Sequence, residues 1–255
     1  MSDVPKNSYF LGIGGIGMSA LARYYHSKGC RVSGYDLTKT PLTEELEKQG
    51  IQVNYIDNPE LIPEWVKTDK QSLIIYTPAI PSEQKQLNYF LDQGFNLLKR
   101  AEILGKISKN YRTIAIAGTH GKTTTTAMVA HVMSHSHLGC NAFVGGIMTE
   151  SNTNIILNAT SDWMVIEADE FDRSFLNLTP DLLGITSIDP DHLDIYLDAE
   201  QLSKAFVELI GLIKGGFFPV INDKVTGSIA KNAIRSGFSK TADIRLMSPG
   251  YNNGF

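Results

Sequence analysis

Cysteine is nearly absent from this chain. There are two in 255 residues, Cys30 and Cys140. Neither has metal-ligand or redox-motif spacing, which excludes a disulfide scaffold or cysteine-ligated zinc and fits a reducing, cytoplasmic location. No uninterrupted apolar run approaches the ~20 residues that span a bilayer. The opening Met-Ser-Asp-Val-Pro-Lys-Asn lacks the basic-then-apolar order of a secretory signal. Basic excess is missing too: 23 Lys and Arg stand against 27 Asp and Glu, a net charge of −4. No electropositive field therefore advertises nucleic acid, and neither a nucleic-acid nor a membrane partner is expected. No internal repeat or low-complexity tract is visible.

What the chain does have is glycine placed between apolar runs and helical patterns. The length suits two α/β domains, each with its own core. Ser8 to Ile13 reads as a strand running into Gly12-Ile-Gly14-Gly15-Ile16-Gly17-Met18 and then a helix that stops near Gly29. Gly-x-Gly-x-x-Gly between strand and helix gives a tight turn, lets a pyrophosphate approach the backbone and packs helix on sheet. A second strand, Arg31 to Tyr35, ends at Asp36, about twenty residues past the loop, where this fold type places a ribose ligand. The plain alternative is a glycine-rich structural turn. Thr40-Pro41 reads as a helix start, N-cap then first position. Thr77 to Pro81 is a loop at a strand end, where open α/β sheets collect ligands. Lys109 to Arg112 is a polar break, so the domains are expected at 1–108 and 109–255.

The second domain opens on the stretch around which the chain is organised. Ile114 to Ala117 is a buried strand, Gly118-Thr119-His120-Gly121 a turn, and Lys122-Thr123-Thr124 the start of a helix. Backbone N–H groups, a helix N-terminus and Lys122 converge there, which makes a phosphate cradle, and the Thr123 hydroxyl sits where it would hold Mg²⁺. Ile116 stands where the Walker A pattern has its first glycine, so the loop is the shorter Gly-x-x-Gly-Lys-Thr. Trp163 to Ile166 is a further strand, with Glu167, Asp169 and Glu170 at its end. A strand-end carboxylate beside a P-loop strand is Walker B geometry. Asp189-Pro-Asp-His192-Leu-Asp194 follows another strand, Leu182 to Thr186, and places His192 among aspartates, a metal or phosphate role. His131, His135 and His137 lack the adjacent glutamate of a zinc helix, Val132 standing there, and read as a solvated helix end. Asn141 to Val144 reads as a strand leading to Gly145-Gly146, a second close approach to ligand. Residues 226–234 read as a helix, and patterning fades after Ser236.

The expected fold class is α/β: a Rossmann-like domain followed by a P-loop α/β domain, each with a mostly parallel sheet. Taken together, the glycine loop at 12–18, Gly118-Thr-His-Gly-Lys-Thr123, Glu167-Ala-Asp-Glu170 and Asp191-His-Leu-Asp194 resemble the Mur ligase family, the ATP-dependent amide-bond-forming enzymes of peptidoglycan precursor synthesis. Among its members they look most like the one that joins L-alanine to UDP-N-acetylmuramate, with the murein-tripeptide-recycling sibling as the alternative. The resemblance implies that Gly12, Gly14, Gly15, Ile16, Gly17 and Met18 bind a UDP-sugar pyrophosphate rather than NAD, with Asp36, Thr77 and Arg100 nearby. It implies ATP on Gly118, Thr119, His120, Gly121, Lys122, Thr123 and Thr124, one Mg²⁺ on Thr123 and Glu167, and a second Mg²⁺ on His192. Lys122, His120, Glu167 and His192 are then the catalytic set, and no carbamylated lysine is expected. The family's asparagine before the Asp-His motif is missing, Ser187 and Ile188 standing in that region, so no role carries over there. The family's C-terminal domain is not recognised before Phe255, so the chain is expected to be a fragment that does not turn over alone. An NAD-linked oxidoreductase would leave the P-loop unexplained. A non-catalytic P-loop switch would leave the first domain unexplained.

Overall fold

The first strand, β1 (Asn7–Leu11), is buried along its whole length, as expected of a strand covered on both faces. Successive side chains point to opposite sides. Tyr9 meets Phe90 at 5.4 Å between ring centroids, and Phe10 meets Tyr25 at 6.4 Å. Those partners lie on α4 (Lys85–Asp92) and α1 (Ile16–Ser27), so each face of the sheet has its own helix. The computed structural model describes residues 4–189, 199–216, 219–225, 229 and 232–247.

Around β1 the chain adds β2 (Arg31–Tyr35), α2 (Pro41–Lys48), β3 (Gln52–Asn54), α3 (Glu64–Lys67), β4 (Leu73–Tyr76), β5 (Leu97–Lys99) and α5 (Arg100–Ser108). The sheet is parallel throughout, in the order β3-β2-β1-β4-β5. The strand order reverses between β1 and β4, and the loops at the carboxyl ends of these two strands flank the crevice where such sheets bind ligands. Helix α2 starts as its sequence dictates. Thr40 Oγ1 accepts from Thr43 N–H at 3.3 Å, Thr43 Oγ1 accepts from Thr40 N–H at 2.9 Å, and Pro41 fills the first helical position.

The chain continues through β6 (Arg112–Ala117), α6 (Lys122–Ser134), β7 (Asn141–Met148), β8 (Thr153–Ile156), β9 (Trp163–Glu167), β10 (Leu182–Ile185), α7 (Ala199–Gly211), β11 (Val220–Asn222), β12 (Ile234–Gly237) and β13 (Ile244–Arg245). In the second unit β9 lies on one side of β6 and β10 on the other, followed by β11, β12 and β13, all parallel. Helix α7 turns Leu202, Ala205, Phe206 and Leu209 inward at helical spacing, and Phe206 meets Phe175 edge-on at 5.3 Å. His131, His135 and His137 are exposed at the end of α6 and just beyond it. Among the described residues no helix is long and apolar enough to cross a membrane.

Three local readings change. The strand expected to end at Val144 runs on through Gly145-Gly146 as β7, which folds back on β8 as an irregular antiparallel hairpin. The strand β8 was not expected, and β12 begins at Ile234, where a helix was. The chain divides into two compact units, Met1–Asn110 with Asn141–Ala159, and Tyr111–Cys140 with Thr160–Phe255. A single cut at 108/109 does not anticipate the return of the hairpin to the first unit. Its cause is long-range pairing on α1. The buried Arg23 donates through Nη1 to Thr153 Oγ1 (2.9 Å) and Asn154 Oδ1 (3.0 Å). Asn154 Nδ2 donates to Ile16 O (2.5 Å) and Ser19 Oγ (3.0 Å), and Phe143 packs on Tyr24 at 5.7 Å.

Two measurements follow. Arg23→Ala removes charge-assisted hydrogen bonds and strands the buried Asn154 amide oxygen, so it is expected to cost about 2 kcal/mol in a urea unfolding titration. A loss below ~0.5 kcal/mol would contradict the anchoring role. Both thiols are buried; burial raises the pKa of Cys30, and that of Cys140 to about 11. A thiol needs its thiolate form and access to react. The folded chain should therefore resist aromatic disulfide reagents at neutral pH and release two thiols only on denaturation.

Candidate functional site

The turn after β6 is built for close approach. Gly118 has φ +133°, and a Cβ there would fall 2.1 Å from Thr186 Oγ1 and 2.9 Å from Ser187 N. Conformation and space both demand glycine. Gly121, with φ +78°, is the N-cap of α6 and no side chain caps that helix. The N-terminus of α6 is thus a concentrated positive end on which the protein places no capping side chain, the usual setting for a bound phosphate.

Two neighbouring side chains at that helix start are held by two acids, one at the end of β9 and one just beyond it. Thr123 Oγ1 donates to Glu167 Oε1 at 2.9 Å. Lys122 Nζ lies 2.9 and 2.8 Å from the two oxygens of Glu170, whose side chain is fully buried. Parallel register explains the reach: Glu167 is opposite Ile116, and Ala168 N–H donates to Ile116 O at 2.8 Å. The third acid, Asp169, does something else. Its Oδ1 takes Phe171 N–H at 3.2 Å and its carbonyl takes Phe175 N–H at 3.0 Å, so it shapes the turn that follows.

The opposite wall comes from the segment after β10. Ser187 O accepts from Thr119 N–H (3.0 Å), and Ser187 Oγ accepts from His120 N–H (2.9 Å) and lies 3.0 Å from Thr119 Oγ1. Thr186 Oγ1 contacts Ala117 O (3.1 Å) and His120 O (2.5 Å), and Asp189 N–H donates to Thr119 Oγ1 (2.9 Å). These hydrogen bonds fix the loop's shape before any ligand arrives. Sequence reasoning missed Thr186 and left Ser187 without a role; the available signal was a pair of hydroxyls ending the strand next to the P-loop strand. His120 is exposed, its Nε2 4.0 Å from Asp189 Oδ2, and Thr124 is exposed on the first turn of α6. His192, Asp191 and Asp194 lie outside the described residues.

In the first unit the glycine loop gathers most of its expected neighbours. Gly12 and Ile13 N–H groups donate to Tyr35 O at 2.8 and 3.0 Å. A Cβ on Gly12 would meet Thr77 Cγ2 at 3.3 Å, and one on Gly17 would meet Arg100 Nη1 at 2.7 Å. Thr77 and Arg100 therefore flank the loop, Arg100 beside the start of α1. Asp36 is present but engaged: Oδ2 takes Gly14 N–H at 2.8 Å and Oδ1 takes Thr38 N–H at 3.1 Å. It braces the loop. The Met18 side chain is 2% exposed and belongs to the core, which leaves only its backbone for a ligand. Gly15 is exposed and Ile16 half-buried.

A glycine turn between strand and uncapped helix, a lysine and hydroxyl at the helix start, and acids on the adjacent strand define a P-loop nucleotide-binding protein. The chain belongs to the Mur ligase family: "Mur ligase family, catalytic domain" matches residues 7–112 and "Mur ligase middle domain" residues 116–248. A UDP-N-acetylmuramate–L-alanine ligase of Porphyromonas gingivalis is 50% identical over 83% of this chain and 46% of its own length. One of Cytophaga hutchinsonii is 45% identical over 94% of this chain and 53% of its own. The chain thus spans about half the length of the curated relatives it matches. Among solved structures, a UDP-N-acetylmuramate-alanine ligase from Thermotoga maritima aligns with TM-score 0.80 at 28% identity, over 91% of this chain and 52% of that one. The UDP-N-acetylmuramate:L-alanyl-gamma-D-glutamyl-meso-diaminopimelate ligase from Neisseria meningitides aligns with TM-score 0.80 at 23% identity, over 91% of this chain and 78% of that one, and supports the fold alone.

The steric analysis makes one substitution decisive. Gly118→Ala must displace Thr186 and Ser187 and hold alanine in a left-handed conformation, so a loss of at least ~2 kcal/mol in unfolding free energy is expected. A thermal and urea profile matching the unaltered chain would show that the loop tolerates a Cβ.

Proposed function

We propose that this chain carries the UDP-sugar-binding and ATP-binding parts of an ATP-dependent ligase that joins L-alanine to UDP-N-acetylmuramate in the cytoplasm. The observation that carries the reading is the cradle at Gly118–Thr124, with Lys122 and Thr123 set against Glu170 and Glu167, in a chain about half identical to relatives bearing that enzyme's name.

The reaction explains why such a cradle is needed. A carboxylate resists attack by an amine until one of its oxygens becomes a leaving group. Transfer of the γ-phosphoryl group of ATP to the lactyl carboxylate breaks the bond to ADP and forms an acyl phosphate. The alanine amine then attacks the acyl carbon, the amide C–N bond forms, the amine sheds its proton and inorganic phosphate departs. Both substrates are anions, so their repulsion must be offset by fixed positive charge and oriented dipoles. The N–H groups of Gly121, Lys122, Thr123 and Thr124 would take phosphate oxygens at the α6 terminus. Lys122 would bridge the β- and γ-phosphates. His120, exposed on the loop, would reach the γ-phosphate or the muramyl carboxylate. Thr123 and Glu167 offer hard oxygen donors that suit one Mg²⁺, and His192 would hold a second; bound there, the ions would neutralise polyphosphate charge.

The glycine loop would hold the UDP-sugar pyrophosphate on the N-terminus of α1, with Arg100 as a charged neighbour. Calorimetric titration with UDP-N-acetylmuramate, with NAD as control, tests this. Binding of the UDP-sugar alone is expected. Binding of NAD alone would overturn the assignment. Asp36→Ala should weaken UDP-sugar binding roughly tenfold by loosening the loop, the effect of losing about one charge-assisted hydrogen bond. Unchanged affinity would argue that Asp36 does not brace the site.

A further inference from the structure

Glu170 has no part in the reaction as described, yet it is the most completely buried acid of the strand-end cluster. Both of its oxygens are on the P-loop lysine, at 2.9 and 2.8 Å. Its side chain is 0% exposed and that of Lys122 13%. Its place is fixed from both sides in the chain. Ala168 before it is fully buried. After it comes a turn in which Asp172 and Arg173, neither of them glycine, adopt left-handed backbone angles, φ 51° and 54°. Arg173 N–H donates back to Glu170 O at 3.0 Å, and the buried Phe175 pins the turn. The backbone just after Glu170 is thus held in a sparsely populated conformation by its surroundings.

We propose that Glu170 is a positioning residue for Lys122. It aims the ammonium into the cradle and cancels its charge while no nucleotide is bound. A buried carboxylate that loses an ion-pair partner is destabilised, so the lysine does not let go when polyphosphate arrives. The ammonium has three donors and is shared between Glu170 and the phosphate. The lysine therefore brings less than a full positive charge to the nucleotide. The remaining compensation falls to the dipole of α6 and to a cation on Thr123 and Glu167. The inference rests on the ATP reading of this loop.

Two measurements on the whole chain test it. The first is ATP affinity in the presence of EDTA, for the unaltered chain, Glu170→Gln and Glu170→Asp. Removing a negative charge from beside a polyphosphate should tighten metal-free binding about tenfold in Glu170→Gln, while Glu170→Asp stays near the unaltered chain. Equal or weaker binding by a folded Glu170→Gln overturns the proposal. The second is thermal melting without nucleotide. Lys122→Met should lower the melting temperature by several degrees, and adding Glu170→Gln should restore much of it, because the buried negative charge is gone. A double variant that melts no higher than Lys122→Met alone overturns the pairing. This comparison stands even if Glu170→Gln alone does not fold. If the unaltered chain binds no ATP with or without Mg²⁺, the function above and the nucleotide role of Glu170 fall together. If it binds ATP and Glu170→Gln shows no gain, only the role of Glu170 falls.

Discussion

The loop between β6 and α6 depends on one steric constraint: at Gly118 there is no room for a Cβ, because Thr186 Oγ1 stands where it would be. The constraint is what lets β6 and β10, adjacent and parallel, carry their loops into contact. Thr186 and Ser187 can then bond the backbone of Ala117, Thr119 and His120 without a side chain between them. The loop's shape is settled before any ligand binds. Little ordering entropy then remains to be lost when phosphate arrives, which is the value of preorganisation.

The same logic governs the glycine loop of the first unit with different parts. There the brace is a carboxylate, Asp36, taking Gly14 N–H, and the flanking side chains are Thr77 and Arg100. Both units thus present a glycine turn between a strand and a helix N-terminus, with the loop held by residues from neighbouring strand ends.

Much of this was legible in the sequence, and the exceptions share a cause. The strands around both glycine turns, the Thr40-Pro41 helix start and the apolar stripe of α7 are local patterns, and local patterns are written in consecutive residues. The acids after β9 were visible as a cluster; their division of labour was not. Whether Glu167, Asp169 or Glu170 meets Thr123 or Lys122 depends on the register of β9 on β6 and on the left-handed turn at Asp172 and Arg173. Ser187 was invisible for the same reason: its partners are remote in sequence and close only because β10 lies beside β6. The β7–β8 hairpin is the extreme case. Nothing near Asn154 announces that its amide will meet Ser19, or that Arg23 will be buried against it. Asp36 is a subtler case, since spacing located the residue but not that its carboxylate takes the N–H groups of Gly14 and Thr38.

The most direct test of the central claim is a crystal structure of this chain with a non-hydrolysable ATP analogue and Mg²⁺. The account predicts polyphosphate density on Gly118–Thr124, with the ion against Thr123 and Glu167 and the Lys122 ammonium still within reach of Glu170. Polyphosphate bound instead on the loop at 12–17, with the P-loop left empty, would contradict it.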